Sequence, residues 1–150
     1  MYDRILVAID AAYSPVLQRT EQFAKMTGGD VYLLHVGRGH IIPGDVMGGA
    51  GLGVPSAEDD VEDGVREVVQ QAVNQLRAAG INARGELVNA TEYDIADVIL
   101  QRAKELAADV IVLGHQHHRG RGNAFRASVA DQVIRQHPPC SILLAWPPER

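Results

Sequence analysis

Residues Asp109–Val129 read DVIVLGHQHHRGRGNAFRASV, and the fold turns on how this stretch is interpreted. It opens with an apolar run, Val110 to Leu113, that is too short for a helix and rich in β-branched side chains. A run of that kind reads as a strand covered on both faces. Gly114 ends the run. The polar segment that follows holds three histidines (His115, His117, His118), three arginines (Arg119, Arg121, Arg126) and the glycines Gly120 and Gly122. A new apolar period begins after Ser128. A strand, a glycine, a cationic loop and a serine at a helix start can together hold an anion. The first turn of a helix has unpaired N–H groups and a partial positive charge, and the serine hydroxyl adds a hydrogen bond. The same residues also fit a solvated strand-to-helix connection without a ligand, and the segment alone leaves both readings open.

Working outward, the chain alternates strand-like and helix-like segments. Arg4–Asp10 (RILVAID) is the first strand, with a continuous apolar core from Ile5 to Ala8 and an acidic residue, Asp10, at its end. Ser14-Pro15 starts a helix: serine is a favoured N-cap, and proline suits the next position because its missing N–H would be unpaired anyway. Val16, Thr20, Phe23, Ala24 and Thr27 mark one face of this helix, and Gly28 ends it. Val31–Val36 (VYLLHV) is the second strand, and His35 inside it suits a backbone-bonded imidazole better than a metal ligand. Arg38–Pro55 contains six glycines and no periodicity, which predicts a mobile loop with a possible role as a lid. Ser56 with Asp59 resembles a capping pair, and the acidic run Glu58–Asp63 suits the positive end of a helix.

From there Val61, Val65, Val68, Val69, Ala72, Val73, Leu76 and Ala79 hold a helical stripe that Gly80 closes. Ile81–Val88 is a weaker third strand with imperfect alternation, as at a sheet edge. Thr91 with Asp94 is expected to cap the next helix, whose buried face is Ile95, Ile99, Ala103, Leu106 and Ala107. Asp109–Leu113 is the fourth strand, Ser128–Gln136 the fourth helix and Ser141–Trp146 the fifth strand, with Pro138-Pro139 separating the last two. Strands alternating with amphipathic helices predict right-handed βαβ units, a parallel sheet and a doubly wound α/β domain spanning residues 1–150. Ligands of such sheets sit beyond the strand C-termini, where the strand order reverses. If the first and fourth strands are neighbours, Asp10, Gly114 and Ser128 converge on one crevice.

Composition excludes several classes. A chain of 150 residues with 46% hydrophobic and 22% charged residues can bury a single core of ordinary soluble type. The net charge of −5 argues against nucleic acid as a partner, although the basic loop can still suit a small phosphate ligand. No apolar run is long enough to span a membrane and no export leader is evident, so a cytoplasmic protein is expected. The lone cysteine, Cys140, cannot form an internal disulfide and suits a reducing compartment as an inert thiol.

The order and spacing of RILVAID with Asp10, LLHV ending at Val36, ADVIVLG from Ala108 to Gly114, Ser128-Val129-Ala130 and PPCSILL from Pro138 resemble the universal stress protein family over essentially the whole chain. The resemblance implies an open five-stranded parallel sheet of order 3-2-1-4-5, helices on both faces, and a homodimer formed through the last strand, Ser141–Trp146. A terminal apolar strand supports that pairing independently, because an uncovered apolar edge invites a partner. The resemblance also implies a regulatory role in the stress response, through a protein partner that the residues do not identify. Family members that bind ATP are similar in carrying a glycine, two residues, a glycine, nine residues, a glycine, then serine or threonine. Here Gly114 and Ser128 match the ends of that pattern, while His117 and Ala127 stand where it has glycine. An alanine forced to positive φ would cost about 1–2 kcal/mol, roughly tenfold in affinity. His117 can instead donate a hydrogen bond to an anion, and Arg119, with Arg121 and Arg126, adds phosphate contacts. The resemblance places Ala8, Asp10, Val36, Gly114, His117, Arg119, Ala127, Ser128 and Val129 around an adenine nucleotide, ATP or AMP, with magnesium as a companion of the triphosphate. Asp10 and Val36 match positions on the adenosine side.

Other chemistries fit less well. His115, His117 and His118 crowd one loop, but no cysteine or carboxylate lies close by in sequence to complete a zinc set, so no metal ligand is assigned. Protonation of these imidazoles near pH ~6.5 would instead strengthen anion binding as pH falls. An adenylating or sulfurating enzyme would carry a glycine- and serine-rich loop after the first strand, where this chain has Ala11-Ala12-Tyr13-Ser14. No nucleophile–base pair can be assembled, so no residue is assigned as catalytic. Slow nucleotide hydrolysis is the most the residues would support, and ligand positioning is the expected role of Asp10. The alternative to a nucleotide binder is a dimeric interaction module without a nucleotide.

Overall fold

A computed structural model describes residues 1–9, 14–38, 57–90, 94–114 and 129–146. Its elements run β1 (Arg4–Ala8), α1 (Ser14–Thr27), β2 (Asp30–Arg38), α2 (Ala57–Ala78), β3 (Ala83–Ala90), α3 (Ile95–Glu105), β4 (Val110–Gly114), α4 (Val129–Arg135) and β5 (Ser141–Ala145). The strands form one sheet in the order β3-β2-β1-β4-β5, every pair parallel. The doubly wound α/β architecture expected from the alternating pattern is therefore present, with the weakly patterned β3 at one edge and β5 at the other.

The continuous apolar runs of β1 and β4 follow from their central place. Ile5, Leu6 and Val7, and Val110 to Leu113, are all at most 2% exposed because helices cover both faces. Successive side chains alternate between two cores. Ile5, Val7, Val31, Leu33, Val110 and Val112 pack with α1 and α2, through Val16, Ala24, Val69, Val73 and Leu76. Leu6, Leu34, Ile111 and Leu113 pack with α3 and α4, through Ile95, Ala96, Ile99, Ala103, Ala130 and Val133. Thr20, buried in α1, returns its hydroxyl to the Val16 carbonyl at 2.7 Å, so the one fully buried polar side chain among the described residues is satisfied.

Helix ends account for most departures from the expected boundaries. Gly80 has φ +83°, its N–H bonds to the Arg77 carbonyl, and the Ile81 N–H bonds to the Leu76 carbonyl. That closing turn absorbs Gly80 and Ile81, so β3 starts at Ala83 rather than Ile81 and runs on to Ala90. The same bonding closes α3, with Ala107 N–H to Lys104 and Ala108 N–H to Ala103, but here an alanine takes the left-handed position at φ +50°. Ala107 is thereby exposed, which corrects its assignment to the buried face of α3; Ala96 and Leu100 are buried there as well. The α3 N-cap is Asp94, whose carbonyl accepts from Val98 N–H at 2.9 Å and whose carboxylate makes no capping bond. Thr91, the other member of the expected capping pair, lies outside the described residues. β1 closes at Ala8 and β2 runs from Asp30 to Arg38, against expected spans of Arg4–Asp10 and Val31–Val36.

At the N-terminal end of the sheet a carboxylate joins the two central strands. Asp109 Oδ2 accepts the backbone N–H groups of Asp3 and Arg4, each at 2.9 Å, and the Asp109 N–H donates to the Arg4 carbonyl at 2.9 Å. Beside it, Gly29 packs so closely that a Cβ would lie 2.3 Å from the Tyr2 carbonyl oxygen. On the α3 face, the Tyr32 hydroxyl donates to Glu86, whose other oxygen pairs with Arg102 at 2.6 Å; Arg102 also reaches Glu105 at 2.6 Å. Burial and the Glu86 carboxylate push the Tyr32 phenol up to about 12.

Candidate functional site

The order β3-β2-β1-β4-β5 places the reversal of strand order between β1 and β4, which pair from Ile5↔Val110 to Ala8↔Leu113. After β1 the chain enters α1 on one face; after β4 it reaches α4 on the other. Connections that diverge in this way leave a crevice beyond the C-terminal ends of the two strands. The condition set by the sequence, that the first and fourth strands be neighbours, is met.

Four of the expected site residues are described, and three of them lie at this end of the sheet. Ala8 is the last residue of β1 and Gly114 the last of β4, one register step beyond the Ala8–Leu113 pair. Val36 stands on β2 two residues past Leu34, the partner of Ala8. Val129, the fourth, opens α4. Ala8, Val36 and Val129 are all partly buried and all pack against the core on the α3/α4 side. Asp10, His117, Arg119, Ala127 and Ser128 lie outside the described residues, as do Arg38–Pro55 beyond its first residue and the His115/His118 part of the histidine cluster.

On the opposite face of the sheet, the expectation for His35 acquires a partner. Its Nδ1 lies 2.8 Å from the carbonyl oxygen of Ile9, the residue that follows β1. A carbonyl can only accept, so Nδ1 carries the proton. The Ile9 N–H in turn donates to the Leu34 carbonyl at 2.9 Å. Both polar groups of the Ile9 backbone are therefore held by β2. Gly37, two residues on, is a position that sequence reading passed over. A Cβ there would meet Asn89 Oδ1 at 2.7 Å, so the absence of a side chain lets the Asn89 carboxamide lie across β2. A glycine inside an otherwise apolar strand is the signal that could have found it.

The remaining candidates lie elsewhere. Cys140 is half-buried, and burial, followed by the charge of Asp109, pushes its thiol up, away from the thiolate that a nucleophile needs. A groove of about 310 Å³ runs between α2 and β3, lined by Arg66, Val69, Val73, Arg77 and Gly85 among others, at the sheet edge away from the β1/β4 crevice. Among the described residues no three His, Cys, Asp or Glu side chains gather as a metal site. No helix among them is long and apolar enough to cross a membrane.

Residues 1–145 match the model of the Universal stress protein family. The chain belongs to the universal stress protein family. Solved structures agree. A universal stress protein from Archaeoglobus fulgidus is 25% identical with a TM-score of 0.68, covering 97% of this chain and 99% of its own. The universal stress protein from Archaeoglobus fulgidus in complex with dAMP is 26% identical with a TM-score of 0.63, over 96% of this chain and 98% of its own. A universal stress protein in complex with cAMP shares the fold at 18% identity and a TM-score of 0.67, over 97% of each chain. No curated protein sequence gives a significant match.

Proposed function

We propose that this universal stress protein is a small cytoplasmic regulatory homodimer that binds an adenine nucleotide in the crevice beyond β1 and β4. One observation carries the reading: the C-terminal ends of β1 and β4, at Ala8 and Gly114, lie at the strand-order reversal of a fold in which a 26%-identical relative is complexed with dAMP. The adenosine side of the ligand lies against Ala8, Asp10 and Val36. Its phosphates face Gly114, His117, Arg119, Ala127, Ser128 and Val129, with magnesium accompanying a triphosphate. His117 and Ala127 replace the two flexible glycines of the ATP-binding pattern, so the monophosphate is the ligand least affected. The second copy pairs through β5. Ile142, Leu143 and Leu144 are only partly buried in this edge strand, and Ile134 and Trp146 nearby in sequence are 45% and 49% exposed. A further protein reads whether the nucleotide is bound.

Nucleotide released from the purified protein by denaturation is identified by chromatography, and AMP and ATP with magnesium are titrated calorimetrically. Saturable heat is expected, weakened about tenfold or more in Asp10→Ala and Ser128→Ala. No co-purified nucleotide and no heat at millimolar AMP or ATP would leave the ligand-free interaction module as the function. Unchanged affinity in both variants would place the site elsewhere. Sedimentation of Leu143→Asp, expected to be monomeric, tests the β5 pairing.

A further inference from the structure

We infer that the free edge of β3 is a docking site for an extended acidic peptide, which adds to the sheet as a sixth strand in the groove beside α2. The inference is independent of whether the crevice beyond β1 and β4 holds a nucleotide, since β2 separates β3 from β1. The backbone of β3 defines the edge. Val31 stands opposite Ala83 in a parallel pair, and its N–H donates to the Asn82 carbonyl at 2.8 Å. Alternate residues of a parallel strand face the partner. Asn82, Arg84, Glu86 and Val88 therefore give their backbone groups to β2, and Ala83, Gly85 and Leu87 turn theirs outward. Arg77 agrees with this assignment: from α2, its Nε donates to the Ala83 carbonyl at 2.9 Å. Past that bond, the outward N–H and C=O groups of Gly85 and Leu87 lie at the groove these residues line and meet no backbone partner among the described residues.

Shape and charge select the occupant. Val69 and Val73 give the groove an apolar floor, brought against β3 because Gly85 has no side chain; a Cβ there would lie 2.7 and 2.8 Å from their methyl groups. Arg66 and Arg77 line it from α2 and Arg84 from β3. The one carboxylate in the lining, Glu86, is engaged by Tyr32 and Arg102. In a chain of net charge −5 this is a local excess of positive charge, and its complement is an acidic ligand. At 1.5 Å per residue, Arg66 and Arg77 stand about 16 Å apart along α2, the length of about five residues of extended chain. The acidic run Glu58–Asp63 precedes Arg66, so the favourable stretch ends there. A strand laid here bonds through its main chain to Gly85 and Leu87, while its alternate side chains fall on the valines or beside Arg84. A second copy of β3 would instead set two arginine-lined edges against each other.

The probe is a fluorescein-labelled peptide, Glu-Val-Glu-Val-Glu, titrated into the full chain and read by anisotropy and by the amide NMR signals of the protein. Saturable binding is expected below about 1 mM, with shifts at Gly85 and Leu87 and none at Ala8 or Gly114. N-methylation of one alternate set of peptide nitrogens is expected to abolish binding, and of the other set to leave it within about twofold. The Lys-Val-Lys-Val-Lys analogue, and the protein variant Arg84→Glu with circular dichroism as in wild type, are each expected to bind at least about tenfold more weakly. No saturation above about 1 mM would overturn the inference and leave the arginines as guards of an exposed edge. Binding that both N-methylated peptides retain would also overturn it, as charge attraction without strand addition. So would shifts confined to the crevice, or a dimer that persists in Leu143→Asp and is lost in Arg84→Glu, which would assign the edge to a second copy.

Discussion

The two ends of the sheet are built differently. At the N-terminal end the restraints run from backbone to backbone or from a charge to backbone: Asp109 holds the Asp3 and Arg4 N–H groups, and Gly29 lets two main chains meet without a side chain between them. At the C-terminal end, beside the backbone bond from Ile9 N–H to the Leu34 carbonyl, an exchangeable side chain takes part: His35 bonds to the Ile9 carbonyl, and the Asn89 side chain lies close to Gly37. In α/β folds of this kind chemistry sits on the loops beyond the strand C-termini, which the strands and helices position.

Paired glycine substitutions test this contrast most directly, and the larger effect belongs to Gly29→Ala. Its Cβ would lie 2.3 Å from the Tyr2 carbonyl oxygen and 3.3 Å from that of Asp3, so main chain must move. A loss of about 3 kcal/mol is expected in chemical denaturation, at the upper end for overpacking. An unchanged midpoint would show that the N-terminal end is not locked.

Asp109→Ala comes next. It leaves two backbone N–H groups without their charged acceptor, but water reaches this end, so the expected cost is about 1–2 kcal/mol. Denaturation should show it with no change in nucleotide affinity, since the carboxylate lies at the opposite end from the crevice. A fall in affinity without a fall in stability would reverse the assignment.

Tyr32→Phe is smaller, about 1 kcal/mol at neutral pH, for a hydrogen bond to a carboxylate. The sign of its pH dependence follows from the raised phenol. The folded value near 12 lies above the ordinary value of 10, so the stabilisation is fully present below pH 10 and is lost as pH rises toward 12. Wild type and variant should therefore converge over that window, and ultraviolet titration of the variant should lack the ionisation near 12.

The least effect is expected from Gly37→Ala. Its Cβ would meet only Asn89 Oδ1, the end of a side chain that can rotate away, and less than about 0.5 kcal/mol should be lost. A loss equal to that of Gly29→Ala would remove the distinction between the ends.

The sequence by itself determined the layered architecture, because hydrophobic period is a local property that survives without knowledge of contacts. Ile5–Ala8 and Val110–Leu113 read as doubly covered strands, and Val69, Val73 and Leu76 as one helix face; each is buried as read except Ala8, which is half-buried at the end of β1. The resemblance of ordered motifs supplied the strand order. It also supplied candidate residues, of which Ala8, Val36 and Gly114 come to one end of the sheet, while Asp10, His117, Arg119, Ala127 and Ser128 lie outside the described residues. What only the tertiary structure decided is pairwise and distant in sequence. Asp109 reaches Asp3 and Arg4 across more than a hundred residues, His35 reaches Ile9 across 26, and Glu86 links Tyr32 to Arg102. A hydrogen bond of that kind depends on two side-chain or backbone positions fixed by different parts of the chain, and leaves no periodic trace in either. Ala107 has a local cause instead: its helical spacing marked it for the core, but the closing turn of α3 takes a left-handed residue at that point and turns it to solvent.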